Sequence, residues 1–248
     1  MRPVAIVSAG AKRLGRELSL RLGRLGHDIA VLFHSSGEAA SETCAALKGL
    51  GAEAVPIACD LADPDAIAAV FTRVKGHFGR PASVLVNNAA RFEWDDIRSV
   101  SAKSLEQHFK TNLYAPVLLC QGLLSSKPAA PGLIVNILDQ KIFNLNGDHL
   151  SYTLAKYALH GFTLTMAKSL APDFRVCGIA PGYVLPLAGS ENNFERLHNA
   201  TPLNRGPEPA DIAYALEFLV KSPTVTGTVL VVDGGSHLTG APRDFAFM

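Results

Sequence analysis

A tyrosine and a lysine four residues apart, Tyr152 and Lys156 in YTLAK, form a pair suited to moving a proton. On a helix, such a spacing projects both side chains from one face, one turn apart. A phenol is a weak acid with an ordinary pKa of about 10. A neighbouring ammonium stabilises the phenolate and lowers that value, which brings proton donation and recovery near neutral pH. An acid, Asp139, lies thirteen residues before Tyr152, directly after the apolar run LIVNIL. It is either an ordinary loop residue or a third member of the same chemistry. A YxxxK spacing is common by chance, so its setting decides how it is read.

That setting is regular. Seven short apolar runs recur along the chain: VAIVS (4–8), IAVLF (29–33), AVPIAC (54–59), SVLVN (83–87), LIVNIL (133–138), RVCGIA (175–180) and TVLVVD (228–233). Most are continuous rather than alternating, as expected of strands covered on both faces. Helical periods lie between them. Leu14, Leu18, Leu22 and Leu25 form a stripe, with Gly26 as the expected stop. Asp63 is the expected N-cap of a second such helix, with Pro64 at its first position and Ile67, Val70, Phe71 and Val74 on one face. Strands and helices alternating in this way predict an α/β fold: a single doubly wound Rossmann domain over residues 1–248, with a seven-stranded parallel sheet flanked by helices. The stretch from Gly182 to Pro209, rich in Pro, Gly and Asn, reads as irregular and as a place to build a substrate lid.

The first strand runs into VSAGAKRLGREL, which opens the first helix. Small residues there let the backbone approach a ligand, and a helix N-terminus favours a pyrophosphate. The GxGxxG spelling is absent; Gly10 and Gly15 remain, with Ala9 and Ala11 beside Gly10. At this point the chain resembles the short-chain dehydrogenase/reductase family, which usually shows TGxxxGxG here. Ser8 stands for the threonine, Ala9 for the first glycine and Arg13 for the middle one, so that only Gly15 survives of the three family glycines. The spelling KRLG resembles the pteridine reductase branch of the family, in which an arginine at this place faces the cofactor phosphates and the substrate.

The resemblance covers roughly residues 4–238. Asn87, Asn88, Ala89 and Ala90 match the family's NNAG, whose asparagines fix the central sheet and whose small residues line the cofactor. Asp60 and Leu61 in CDLAD match an acid that hydrogen-bonds adenine and the residue packed beside it. Asn112 matches a helix asparagine that helps hold the lysine through water. Pro181 and Gly182 match the PG turn beside the nicotinamide, and VTGTVLVVDGG matches the closing strand. Tyr152 and Lys156 take the family's catalytic positions, and Lys156 would also hold the nicotinamide ribose.

The cofactor choice follows from the end of the second strand. In NAD-binding folds, an acid there commonly takes the ribose hydroxyls. Here the strand ends LFHSSGEA with no acid at its tip. His34, Ser35 and Ser36 offer donors, with Lys12 and Arg13 expected nearby across the fold. The corner would accept a 2′-phosphate, and NADPH is the expected cofactor. Gly10, Lys12, Arg13, Leu14 and Gly15 complete the expected cofactor-binding set.

One position departs from the family's common pattern. Most members place a serine thirteen residues before the tyrosine, where this chain has Asp139. A carboxylate there would oppose the negative charge that develops in ketone reduction. It suits a substrate that offers N–H groups or must gain a proton on nitrogen, as in reduction of a C=N bond. A partly buried acid with a raised pKa can relay that proton with the tyrosine. The same substitution resembles pteridine reductases and dihydromonapterin (dihydrofolate-type) reductases, where the matching aspartate, tyrosine and lysine form the catalytic group. Phe92, just past the cofactor-lining turn, matches an aromatic that faces the nicotinamide with the pterin between; Trp94 is a second candidate for stacking. Tyr183 would close the pocket. The expected substrate contacts are Arg13, Phe92, Asp139, Tyr152 and Tyr183.

These residues point to an NADPH-dependent pteridine reductase acting on a dihydromonapterin, dihydrobiopterin or dihydrofolate type of substrate, with hydride from C4 of the nicotinamide. A carbonyl reductase or alcohol dehydrogenase of the same family would keep Tyr152 and Lys156 and give Asp139 no pterin role. A non-catalytic NADP(H)-binding sensor would need neither. The net charge is +1, with no long basic or acidic block, so neither nucleic acid nor an anionic membrane is indicated as a partner. No apolar run approaches the ~18 residues of a membrane helix. Cys44, Cys59, Cys120 and Cys177 form no CxxC pair and read as small core residues in a reducing cytosol. No metal site is expected. A homotetramer, packed through the helices that carry Asn112 and Tyr152, is what the resemblance implies.

Overall fold

All seven apolar runs become parallel strands of one sheet. The computed structural model describes residues 1–128, 131–186, 191–240 and 242–244. The strands are β1 (Val4–Val7), β2 (Asp28–Phe33), β3 (Ala54–Ala58), β4 (Val84–Asn87), β5 (Gly132–Ile137), β6 (Phe174–Pro181) and β7 (Val229–Val232). Their order is β3-β2-β1-β4-β5-β6-β7, and every neighbouring pair is parallel.

The continuous apolar spelling has a direct cause. Side chains alternate across a strand, and both faces of this sheet are covered. In β1, Ala5 and Val7 join one core while Val4 and Ile6 join the other. Helices α1 (Arg13–Arg24) and α2 (Gly37–Gly49) cover the first face with Leu18, Leu22, Cys44 and Leu47. Helix α3 (Pro64–Phe78) covers the second with Ile67, Val70 and Val74. Full burial of each such aliphatic side chain contributes about 1.5–3 kcal/mol. Helix α4 (Ala102–Phe109) runs through a π-helical turn, Lys110–Tyr114, into α5 (Ala115–Ser125). Helix α6 (Leu150–Ser169) joins the second face, and α8 (Pro209–Lys221) joins the first through Ile212 and Leu216.

Local signals acted as the sequence suggests. Asp63 caps α3 by accepting from the Asp65 amide at 2.9 Å. Gly26 follows α1 at φ +90°, a left-handed conformation suited to glycine. All four cysteines are free and buried. The Gly182–Pro209 stretch is less irregular than its composition suggests, because α7 (Glu191–Asn199) lies within it. Its polar composition belongs to an amphipathic surface helix that buries Leu197. Residues 187–190 of the expected lid lie outside the described residues.

The sheet positions the site through its winding. The chain leaves β1 in one direction to build β2 and β3, and crosses back to build β4 on the other side. The connections after β1 and β4 therefore part at the strands' carboxyl ends, which opens a crevice where ligands of such sheets bind.

Candidate active site

The first turn and the turn after β4 are tied together by the Ser8 hydroxyl. It accepts from the amides of Asn88 at 2.9 Å and Ala89 at 3.0 Å. The Asn88 side chain donates back to the Ser8 carbonyl at 3.1 Å. Thr43 of α2 donates to the Ala11 carbonyl at 2.9 Å, holding the turn from its other side. Gly15 is required by space: a Cβ there would stand 2.0 Å from the Ala9 carbonyl oxygen. Two family glycine positions are filled by residues held in the left-handed region, Ala9 at φ +49° and Arg13 at φ +50°. Arg13 crosses the cleft and donates to the Pro186 carbonyl at 2.8 Å.

Buried amides extend this frame toward the chemistry. Asn87 donates to Asn136 at 2.8 Å, and Asn136 donates to Thr163 of α6 at 2.9 Å. Strands β4 and β5 and helix α6 are thereby fixed in register beneath the tyrosine and lysine.

Asp139, two residues past β5, has extended backbone and caps a short 3-10 turn, Gln140–Ile142. One carboxylate oxygen accepts from the Lys141 amide at 2.8 Å, and the other accepts from the Tyr152 phenol at 2.7 Å. Lys156, one turn along α6, donates to the Ile137 carbonyl at 2.6 Å, with its ammonium 5.6 Å from the Tyr152 ring centroid. Burial raises the Asp139 carboxyl above its ordinary value, against the lowering effects of the Tyr152 and Lys141 hydrogen bonds and the Lys156 charge. Burial likewise lowers Lys156 to about 8. Tyr152 departs from the simple reading of a lysine-activated phenol. Burial, and then the facing Asp139 carboxylate, push its pKa well above 10. The phenol is therefore a held proton donor bonded to an acid.

Phe92 packs edge-on against Tyr152, with ring centroids 4.7 Å apart, and stacks on His149 at 4.0 Å. Phe92, Asp139, Tyr152 and Lys156 line a cavity of about 580 Å³ that also takes in Ala9, Lys12, Arg13, Leu14, Gly15, Asn88, Ala90, Pro181, Gly182 and Tyr183. A second cavity of about 220 Å³, lined by His34, Asp60, Leu61, Ala89 and Ala90, shares Ala9 and Ala90 with the first. The two form one cleft spanning both sides of the first turn.

The remaining expected residues stand around this cleft or apart from it. Asn112 is buried in the π-helical turn and bonds the Arg91 backbone twice, at 2.7 Å and 2.9 Å, which holds the approach to Phe92. Ser35 and Ser36 line neither cavity, and Ser36 sits at the N-terminus of α2. His34 is exposed, 3.9 Å from Asp60, beside the smaller cavity. Trp94 is half-exposed outside the cleft, donating to Asp148 at 3.4 Å. Gly10 lies buried in the turn, where a Cβ would stand 2.9 Å from the Val7 carbonyl.

Sequence reasoning missed three participants. Ile137 offers Lys156 a carbonyl, His149 backs Phe92, and Asp244 lines the cavity from beyond the last strand. The first is a backbone group with no side-chain signature. His149 immediately precedes α6, where it reads as a loop residue. Asp244 is distant from every motif. Among the described residues, no group of three or more His, Cys, Asp or Glu side chains is placed to hold a metal, and no helix is long and apolar enough to cross a membrane.

Comparison with known proteins places this architecture. A family model described as enoyl-(acyl carrier protein) reductase matches residues 9–237. The chain is 32% identical to carbonyl reductase family member 4 of Danio rerio, over 96% of this chain and 99% of that protein. It is 30% identical to the 3-oxoacyl-[acyl-carrier-protein] reductase of Homo sapiens, over 96% of this chain and 99% of that protein. Among solved structures, FolM alternative dihydrofolate reductase 1 from Brucella suis, in complex with NADP, superposes with a TM-score of 0.90 at 32% identity, over 96% of each chain. On these matches the chain is an oxidoreductase of the short-chain dehydrogenase/reductase family.

Proposed function

We propose that this oxidoreductase uses NADPH to reduce a C=N bond of a pteridine of the dihydromonapterin, dihydrobiopterin or dihydrofolate type. The observation that carries the reading is the 2.7 Å hydrogen bond from Tyr152 to Asp139. A carboxylate at this wall would repel a developing alkoxide. Bonded to the Tyr152 phenol, an acid whose pKa burial raises is suited to relay a proton to a ring nitrogen. The likeness to the Brucella suis dihydrofolate reductase supports the same reading.

The residues present fit a dinucleotide. The turn packs so tightly that a Cβ at Gly15 would strike the Ala9 backbone, leaving main-chain groups and the start of α1 for phosphates. Lys12 and Arg13 would add cations there, Asp60 and Leu61 would hold adenine, and Ala89, Ala90, Pro181 and Gly182 would line the remainder. His34, at the rim of the smaller cavity, suits a 2′-phosphate better than the acid often found at that corner. When bound, NADPH supplies the hydride.

The chain's own side chains do the rest. Phe92 would offer its ring to a heteroaromatic substrate, and Tyr183 and Arg13 line the same cavity. Tyr152 and Asp139 hold a proton beside the nitrogen that receives it. Lys156 sits behind the phenol and stabilises its charge after the proton leaves. Asn112 positions the segment after β4 that carries Phe92 by holding Arg91.

Purified protein mixed with NADPH and, separately, dihydropterins, dihydrofolate and simple ketones tests this by loss of NADPH absorbance. Turnover of dihydropterins well above ketones is expected; turnover of ketones alone would sink the pteridine reading. The second reading, a carbonyl reductase, is favoured by the names of the Danio rerio and human relatives, which are 32% and 30% identical to this chain against 32% for the Brucella suis protein. Tight NADPH binding without turnover of any substrate would leave a sensor.

We also infer a homotetramer in a reducing cytosol. Leu154, Tyr157 and Leu164 on α6, with Tyr114 beside α5, expose an apolar surface suited to a second copy. Light scattering after size exclusion measures the assembly: four chains are expected, and a monomer would remove this part of the proposal.

A further inference from the structure

The segment 242–244 returns from beyond the last strand and is tied down over the cavity at two points. Arg243 grips Asp148 with two parallel bonds, Nε at 2.7 Å and a terminal nitrogen at 2.9 Å. The Asp244 amide donates to the same carboxylate at 2.9 Å. The Asp244 side chain pairs with Lys141 at 2.9 Å, and that lysine side chain is only 2% exposed. Lys141 also donates to Asn146. The bond to the buried Lys141 side chain holds the Asp244 carboxylate in one place. Asp244 lines the same cavity as Asp139, Tyr152 and Phe92, and its negative charge bears on both Asp139 and Tyr152.

We propose that residues 242–244 form a latch over the substrate end of the cleft, and that Asp244 is a specificity-determining residue that accepts hydrogen bonds from ring N–H or amino groups of the substrate and disfavours substrates offering only a carbonyl oxygen. It rests on the pteridine reading and deepens it, because a pteridine carries such donors and a simple ketone does not. A fixed second carboxylate sets acceptor oxygens against a substrate that offers only a carbonyl acceptor, while a donor-bearing ring can bond to them.

The test uses the full chain with Asp244→Asn, a dihydropterin and a bicyclic ketone, 1-tetralone. For the dihydropterin, KM is expected to rise about ten-fold or more with kcat little changed. For the ketone, kcat/KM is expected to rise at least about three-fold, since a repelling charge has gone. No change in either would overturn the latch. A wild-type enzyme that reduces the ketone and no dihydropterin removes the pteridine reading, and the ketone arm alone then judges Asp244. If neither substrate turns over, binding of an oxidised pterin, followed by its own fluorescence, gives the same comparison: weaker binding in Asp244→Asn supports the role, and equal binding overturns it. Because Asp244→Asn strands the Lys141 charge, it is paired with a double variant, Lys141→Met with Asp244→Asn. Restoration of the wild-type dihydropterin KM in the double variant would mean that Asp244 only neutralises Lys141, and would also overturn the proposal.

Discussion

The Tyr152 phenol and the Asp139 carboxylate share a 2.7 Å hydrogen bond across thirteen residues of chain. The bond joins the end of a central strand to the first turn of the following helix, so the acid and the phenol act as one unit. Asp139→Ser is expected to lower kcat on a dihydropterin by about 100-fold, the ordinary contribution of a general acid. The same variant should reduce ketones better than the wild type. Steady-state kinetics on both substrates measure the exchange, and unchanged dihydropterin reduction would refute the proton relay. Tyr152→Phe should abolish turnover of either substrate.

Lys156 gives a stability signature separable from its chemistry. Its pKa falls from 10.5 to about 8 on folding, through burial. Between those values the unfolded chain binds more protons than the folded one, so this lysine makes stability rise with pH from about 8 to 10.5. Below about 8 its contribution is lost. A shift of that size corresponds to about 3 kcal/mol. Lys156→Met removes the titrating group. The difference in urea unfolding free energy between wild type and variant should therefore grow in the wild type's favour from pH 8 to pH 10.5. A difference that is flat with pH would contradict the lowered value.

The raised Asp139 carboxyl bears on activity in the opposite sense. It stays protonated to higher pH than an ordinary aspartate, and kcat for dihydropterin reduction should fall as pH rises through that value. The groups that face it are Tyr152, Lys156 and Asp244, so the apparent pKa belongs to the set. In Asp139→Asn this limb of the pH profile should disappear; its survival would assign the limb to another group.

Arg13 occupies a left-handed position, φ +50°, that glycine adopts without strain. Arg13→Gly relieves that strain and gains chain entropy in the unfolded state, so its effect on stability should be within about 1 kcal/mol. Function should suffer more, because the side chain lines the cleft and bridges to Pro186. Thermal unfolding with and without NADPH separates the two effects. The apo Tm should move by a few degrees at most, while the NADPH-induced rise shrinks. An undiminished rise would remove Arg13 from cofactor binding.

Gly15 tests the tight turn. Gly15→Ala places a methyl 2.0 Å from the Ala9 carbonyl oxygen and 2.7 Å from the Asn88 side-chain nitrogen, Nδ2. The backbone must give way, at a cost of about 1–3 kcal/mol, and the phosphate cradle with it. A lower Tm together with weaker NADPH binding is expected by calorimetry; wild-type NADPH affinity would show that the cradle tolerates the displacement.

Several features were legible in the amino-acid sequence because they depend on local physics. Seven apolar runs read as strands because a doubly covered parallel sheet buries both faces of each strand, as the division of Val4 and Ile6 from Ala5 and Val7 illustrates. Tyr152 and Lys156 read as a pair because helix spacing puts them one turn apart. Asp63 and Gly26 marked helix ends through capping and backbone conformation. Asp139 could be singled out by its residue type at a fixed interval from Tyr152. The tertiary structure decided what depends on burial and on contacts between distant segments. Burial is the largest cause that raises Asp139 and Tyr152 and lowers Lys156, because the penalty for a charge depends on the solvent that folding removes. Trp94 and Phe92 are equally aromatic in sequence, and only packing sends Phe92 to the cleft and Trp94 to the rim. Asp244, one hundred and three residues from Lys141, enters the cavity through an ion pair that no local pattern encodes.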